Sequence, residues 1–179
     1  MKKLSQWQKL LFETNYSILL KVAFRYVGTY EQAIEMTYQG FVKIFNEVAK
    51  LQVALNVKLS EGLSAWVKRI FIIALVDKIN SEINLHMPRP IPGDIWQEPG
   101  TGTDAESERI YIELIKVLKG LPLTYRLVFN LHVIDGFSHA EIAKMLHITV
   151  ENSKYNLMEA RKIVLSKTKY YDKSADSLS

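Results

Sequence analysis

Three prolines within five residues, Pro88, Pro90 and Pro92, followed at once by Gly93, divide this chain. Each proline fixes φ and lacks a backbone donor, so no helix continues through them. A second turn-rich stretch, Glu98-Pro99-Gly100-Thr101-Gly102-Thr103, follows. The pattern predicts a linker over 87–103 between one helical domain at 1–86 and another at 104–179. With 179 residues there is room for two small domains. Hydrophobic residues at 48% against 23% charged supply a core to each and exclude a globally disordered chain.

Helical period fills both halves, so the expected fold class is all-α. Leu10, Leu11, Ile18, Leu19, Val22, Ala23 and Tyr26 recur at three-and-four spacing, and Gly28 closes that helix. Ala33, Ile34, Tyr38, Phe41, Val42, Ile44, Phe45 and Val48 repeat the pattern over 31–51. Residues 52–62 are open to a loop, and Ser64 is read as the cap of an apolar helix over 66–83. Ile70-Phe71-Ile72-Ile73 is the one β-branched run where a strand competes. After the linker, Thr103-Asp104-Ala105-Glu106 reads as a capping box for a helix closing at Gly120. Pro122 suits the first turn of the next helix, which runs to about Ile134 before Gly136. The polar tail from Tyr170 is expected to fray.

The most specific pattern lies at 137–165. Ser138-His139-Ala140-Glu141 is a second capping box, opening a short helix that carries Ile142, Ala143, Met145 and Leu146. His147-Ile148-Thr149 forms a tight turn, and Thr149 can cap a helix over Val150–Lys162. Two helices, the first short, joined by about three residues with a small Ala143 at their crossing, make a helix-turn-helix. His147 stands where glycine is common, and a left-handed backbone there costs it about 1 kcal/mol. Ser153 is polar where such a helix often turns an apolar residue inward. Asn152, Tyr155 and Asn156 can meet base edges, and Lys154, Arg161 and Lys162 can reach phosphates. The spacing alone also fits a plain helical hairpin with solvated basic residues.

Composition narrows the function classes. The chain has no cysteine, so disulfides, cysteine-rich zinc sites and a thiol nucleophile are excluded, in keeping with a reducing cytoplasm. The basic start runs into Glu13 and Lys21 rather than a long apolar stretch, which predicts neither signal peptide nor membrane span. Net charge is +4, with basic ends flanking an acidic middle at 87–119, which allows nucleic acid as a partner. His86, His132, His139 and His147 have no metal-ligand spacing. Gly100-Thr101-Gly102 lacks the ending of a phosphate loop. No nucleophile–base pair stands out, and Glu106, Glu108 and Glu113 read as a solvated face. The expectation is therefore no catalytic residue, no metal and no cofactor.

The stretch Leu121 to Ala143, continued by Ser153-Lys154, Leu157 and Ala160-Arg161, resembles the promoter −35-reading domain of small sigma-70-type factors. The extracytoplasmic-function group is the nearest in pattern, particularly its Bacteroidetes-like members. Ala33-Ile34-Glu35-Met36-Thr37-Tyr38-Gln39-Gly40-Phe41 is similar to that family's polymerase-clamp helix. Trp66-Val67-Lys68-Arg69-Ile70, with Asp77 downstream, resembles its promoter −10-reading helix. The resemblance covers about 10–83 and 105–165.

What the resemblance implies is a non-enzymatic, cytoplasmic transcription initiation factor, monomeric when free. Its partners would be core RNA polymerase, promoter DNA and an anti-sigma protein. Polymerase contacts would fall at Glu35, Tyr38, Gln39 and Phe41. The −10 contacts would be Trp66, Lys68, Arg69, Asp77, Lys78 and Asn80. The −35 contacts would be Thr149, Glu151, Asn152, Lys154, Tyr155, Asn156, Arg161 and Lys162. Trp66 is equally readable as a core anchor, and Lys68 and Arg69 as solvated surface. The chain departs from the family pattern where Tyr38 and Gln39 replace Gln and Glu, at Ile73 for Asn, at Asn80 for Arg, and at the acidic Glu159. Two alternatives follow: a free-standing helix-turn-helix regulator, or a degenerate sigma paralogue acting as a protein-interaction module.

Overall fold

The computed structural model describes residues 4–55, 62–83 and 105–175. Among these residues the fold is all-helical, with seven α-helices, one π-helical turn and no strand. The chain divides into two compact units, Met1–Pro92 and Gly93–Ser179. The expected linker at 87–103, with the first half of its following capping box, lies outside the described residues.

The first unit packs three helices, α1 (Gln6–Tyr26), α2 (Tyr30–Leu55) and α3 (Gly62–Ile83). The N–H of Ser5 donates to Gln8 Oε1 at 2.8 Å and opens α1. The turn into α2 is built by Thr29 and Gln32. Gln32 Oε1 accepts from the N–H groups of Gly28 and Thr29, while the N–H of Gln32 donates to Thr29 Oγ1. These reciprocal bonds satisfy donors that a helix start leaves orphaned. Leu19, Tyr26, Phe41, Ile44, Phe71, Ile72 and Ile79 are almost wholly buried and form the core. At roughly 1.5–3 kcal/mol for each large apolar side chain removed from water, this packing outweighs local propensity. It settles Ile70-Phe71-Ile72-Ile73 as helix, because Phe71 and Ile72 are wanted on one helical face against α2. Gly40 lets α2 and α3 approach closely, since a Cβ there would collide with the Phe71 ring.

Two boundaries differ from the sequence reading. The second helix continues four residues past Leu51, to Leu55. The third begins at Gly62, so Ser64 lies inside its first turn rather than capping it.

The second unit holds α4 (Ala105–Lys119), α5 (Leu123–Phe129), a π turn (Asn130–Ile134), α6 (His139–Leu146) and α7 (Val150–Ala175). Helices α4, α5 and α6 all pack on α7. Gly120 closes α4, and the buried Arg126 donates from Nη1 to Lys119 O at 3.3 Å, placing a cation where the helix dipole is negative. Burial pushes that guanidinium below its ordinary pKa.

Three expectations for this unit are corrected. Pro122 is the N-cap of α5, not a residue of its first turn. The helix expected to run on to Ile134 instead widens at Asn130 into the π turn. There the N–H of Asp135 reaches Asn130 O at 2.9 Å, and that of Phe137 reaches Leu131 O at 2.9 Å. Fully buried Asn130 and Leu131 hold this wider turn against the core. Finally, α7 continues well past Lys162, and the tail expected to fray from Tyr170 is helical through Ala175. No glycine or proline interrupts 150–175, so nothing local stops the helix.

Candidate nucleic-acid interface

Local chemistry shapes the two helices of the motif. The Ser138 side chain accepts from the Glu141 N–H, and Glu141 Oε2 accepts from the Ser138 N–H at 2.8 Å. The reciprocal pair starts α6 as the spacing predicts. His147 stops it with φ 54° and ψ 40°, the left-handed conformation anticipated for that position. Thr149 then caps α7, its hydroxyl accepting from the Asn152 N–H at 3.1 Å.

At 100° per residue the positions on α7 separate cleanly. Ser153, Leu157 and Ala160 form the buried seam against the rest of the unit. Opposite them, Glu151, Tyr155 and Lys162 run down the middle of the exposed face, with Tyr155 54% exposed. Lys154 and Arg161, seven residues apart, share one edge with Met158 and Leu165. Asn152 and Asn156 share the other edge with Glu159. A groove of about 420 Å³ lies along the cationic edge, lined by His139, Lys154, Met158, Arg161, Lys162 and Leu165. Lys162 is not a free cation, since its ammonium donates to Glu159 Oε1 at 2.7 Å, which raises the Lys162 pKa. The Glu159 carboxylate is therefore paired with a cation of the same helix.

Sequence reasoning missed one cluster behind this face. Ser153 is fully buried, and its hydroxyl shares a 2.9 Å hydrogen bond with Nδ1 of His139. His132 stacks on His139 with ring centroids 4.2 Å apart and planes 18° from parallel. The inward polar Ser153 was itself the clue, because a buried hydroxyl needs a partner. Burial holds the His139 pKa below its ordinary value, helped by the nearby charge of His132, Lys154 and Arg161. Among the described residues, no group of three His, Cys, Asp or Glu side chains could hold a metal.

The candidates in the first unit are less uniformly disposed. On α3, Trp66, Arg69, Asp77 and Asn80 fall on the outer face with Ile73 among them, whereas Lys68 and Lys78 lie away from it. Trp66 is only half-buried. Asp77 and Lys78 help to line a cavity of about 300 Å³ between α2 and α3, together with Gln39, Gly40 and Ser81. On α2, Glu35, Tyr38 and Gln39 are exposed, and Gln39 Nε2 donates to Glu35 Oε1 at 2.9 Å. Phe41 is 2% exposed, so it belongs to the core and is not available to a partner. A ring ladder that the sequence reading overlooked supports Tyr38. It stacks on Phe12 at 6.0 Å and lies 5.9 Å from Tyr16, while Phe12 packs on Phe41 at 4.7 Å. Burial, with Tyr38 beside it, raises the Tyr16 pKa. The signal was the i,i+4 pair Phe12 and Tyr16 on α1.

A short helix, a three-residue turn and a longer helix with a polar, cationic outer face form a helix-turn-helix. Residues 111–164 match the family described as sigma-70, region 4. Across the chain, the structure is similar to that of the sigma factor RpoE from Bartonella quintana, solved in complex with the anti-sigma factor NepR. The identity is 13%, the TM-score 0.57, and the match covers 92% of this chain and 98% of that one. No curated protein matches the chain. Residues 111–164 are thus similar to sigma-70 region 4, and the chain shares the all-helical fold of that sigma factor.

Proposed function

We propose that the chain binds core RNA polymerase through the first unit, holds −10 DNA with α3 and reads −35 DNA with α7, as a cytoplasmic initiation factor. The layout of α7 carries this reading. A central row of Glu151, Tyr155 and Lys162 is flanked by the Lys154–Arg161 edge and the Asn152–Asn156 edge. That arrangement lets a helix lie in a major groove with polar groups at base edges and cations towards the strands. Polymerase would meet Glu35, Tyr38 and Gln39 on α2, backed by the Phe12–Tyr16 rings. The −10 strand would meet Trp66, Arg69 and Asn80, where aromatic and basic groups suit unpaired bases. An anti-sigma protein is proposed as a further partner, by analogy with RpoE.

The test is co-elution of the purified chain with core polymerase, followed by capture of promoter fragments. One-to-one co-elution and recovery of a shared upstream sequence would bear the proposal out. A stable dimer binding a palindrome without polymerase would instead make it a free-standing regulator. Polymerase binding without promoter capture would reduce it to an interaction module.

A further inference from the structure

Among the described residues the inner seam of α7 contains one polar residue, Ser153, and its partner comes from the other helix of the motif. His139 is the first residue of α6, and its Nδ1 bonds Oγ of Ser153 in the first turns of α7. Behind it, His132 contributes a parallel ring from the π turn. His132 is anchored in its turn, with Nδ1 2.8 Å from Phe137 O. A carbonyl only accepts, so that nitrogen carries the proton and the ring orientation is set. Three elements therefore converge on one imidazole.

The rest of the seam, Leu157 and Ala160, is apolar, and apolar contact is not directional. A hydrogen bond is directional, weakening steeply as its angle departs from linear. The His139–Ser153 bond therefore adds a directional restraint to the roll of α7 about its axis, which the apolar seam sets only broadly. We propose that His139, braced by His132, is a positioning residue that sets the recognition helix, and that this setting is lost in acid. The inference rests on the reading of α7 as the −35-reading helix.

The acid sensitivity follows from the surroundings. Protonated, His139 would face His132 at stacking distance and Lys154 and Arg161 on α7. Among the described residues no carboxylate lines the groove beside His139, and Glu159 is paired with Lys162. The folded domain holds His139 below its ordinary 6.5, whereas the unfolded chain does not. As pH falls through 6.5 the unfolded chain takes up the proton first, so stability is lost from there down to the lowered folded value.

The test uses the full-length chain and duplexes that the wild type enriches from a randomised pool, with affinity measured from about pH 7.5 to about 5.5, across the histidine range. Wild-type affinity should fall about tenfold in acid. His139→Asn, whose side-chain amide can take the place of Nδ1 but does not titrate, should bind like the wild type at neutral pH and stay flat. His139→Leu should bind about tenfold more weakly at every pH, the scale of one buried hydroxyl left unpaired. His139→Leu with wild-type affinity and pH profile would overturn the proposal. Wild-type binding that tightens in acid and depends on His139 would also overturn it, making the residue a phosphate contact instead. If the wild type enriches no duplex, the −35 reading fails separately, and the contact is judged on imidazole NMR alone. There, a His139 titration shifted by Ser153→Ala supports the contact, and an unchanged one removes it.

Discussion

Helices α3 and α7 are both candidate DNA-facing helices, yet they present their residues differently. On α7 the candidates stand clear on one broad face, and Lys162 among them pairs with Glu159 within the helix. On α3 they are divided. Trp66, Arg69, Asp77 and Asn80 share the outside, Lys68 and Lys78 lie away from it, and Asp77 and Lys78 also line the cavity beside α2. The contrast arises from packing. The α7 seam needs only small or single residues, Ser153, Leu157 and Ala160, whereas α3 buries six apolar residues from Val67 to Ile79 and has little face left over. A helix that must supply a core has fewer positions to spend on a partner.

The comparison can be broken most forcefully at Gly40. Gly40→Leu should drive a side chain into Phe71 and destabilise the first unit by about 1–3 kcal/mol, the usual scale of overpacking. Hydrogen exchange should show protection lost in α2 and α3 and kept in α5–α7. Equal loss in both units would mean that the two do not fold independently.

Next in size is the cationic edge of α7. Lys154→Ala with Arg161→Ala should weaken −35 duplex binding and lower the slope of log affinity against log salt by about one per lost phosphate contact. A salt titration with an unchanged slope would take that edge away from DNA. Tyr38→Ala should lower affinity for core polymerase about tenfold, on the scale of aromatic interface anchors. It should cost the fold only about 1 kcal/mol, because the ring pairs it loses are half-exposed. Wild-type co-elution by this variant would move the polymerase contact off α2. The smallest effect belongs to Glu159→Gln, which frees Lys162 and removes a negative charge. Duplex affinity should rise about two- to threefold at low salt. No change there would show that Glu159 and Lys162 lie beyond the DNA's reach.

Much of the motif was legible in the residues. The Ser138–Glu141 box, the left-handed His147 and the Thr149 cap are interactions between neighbours, and each formed as its spacing required. Phe41 was not legible in the same way. Its place in the period marks an apolar face, and only the Phe12 ring and the α1–α2 contact show that the face is turned inward. Ser64 illustrates a different failure, since a good capping residue was overridden when α3 began at Gly62. The Phe12–Tyr16–Tyr38 ladder needed two helices brought side by side before it existed at all.

The sequence by itself determined that this is a two-part helical chain and where its helix-turn-helix begins, turns and resumes. Those outcomes depend on φ, missing donors and side chains within about four residues of one another. Tertiary structure alone decided the π turn at Asn130–Ile134, the close approach at Gly40 and the meeting of His132, His139 and Ser153. Each depends on which distant surfaces fill one another's space, and close packing is settled only when the whole core assembles.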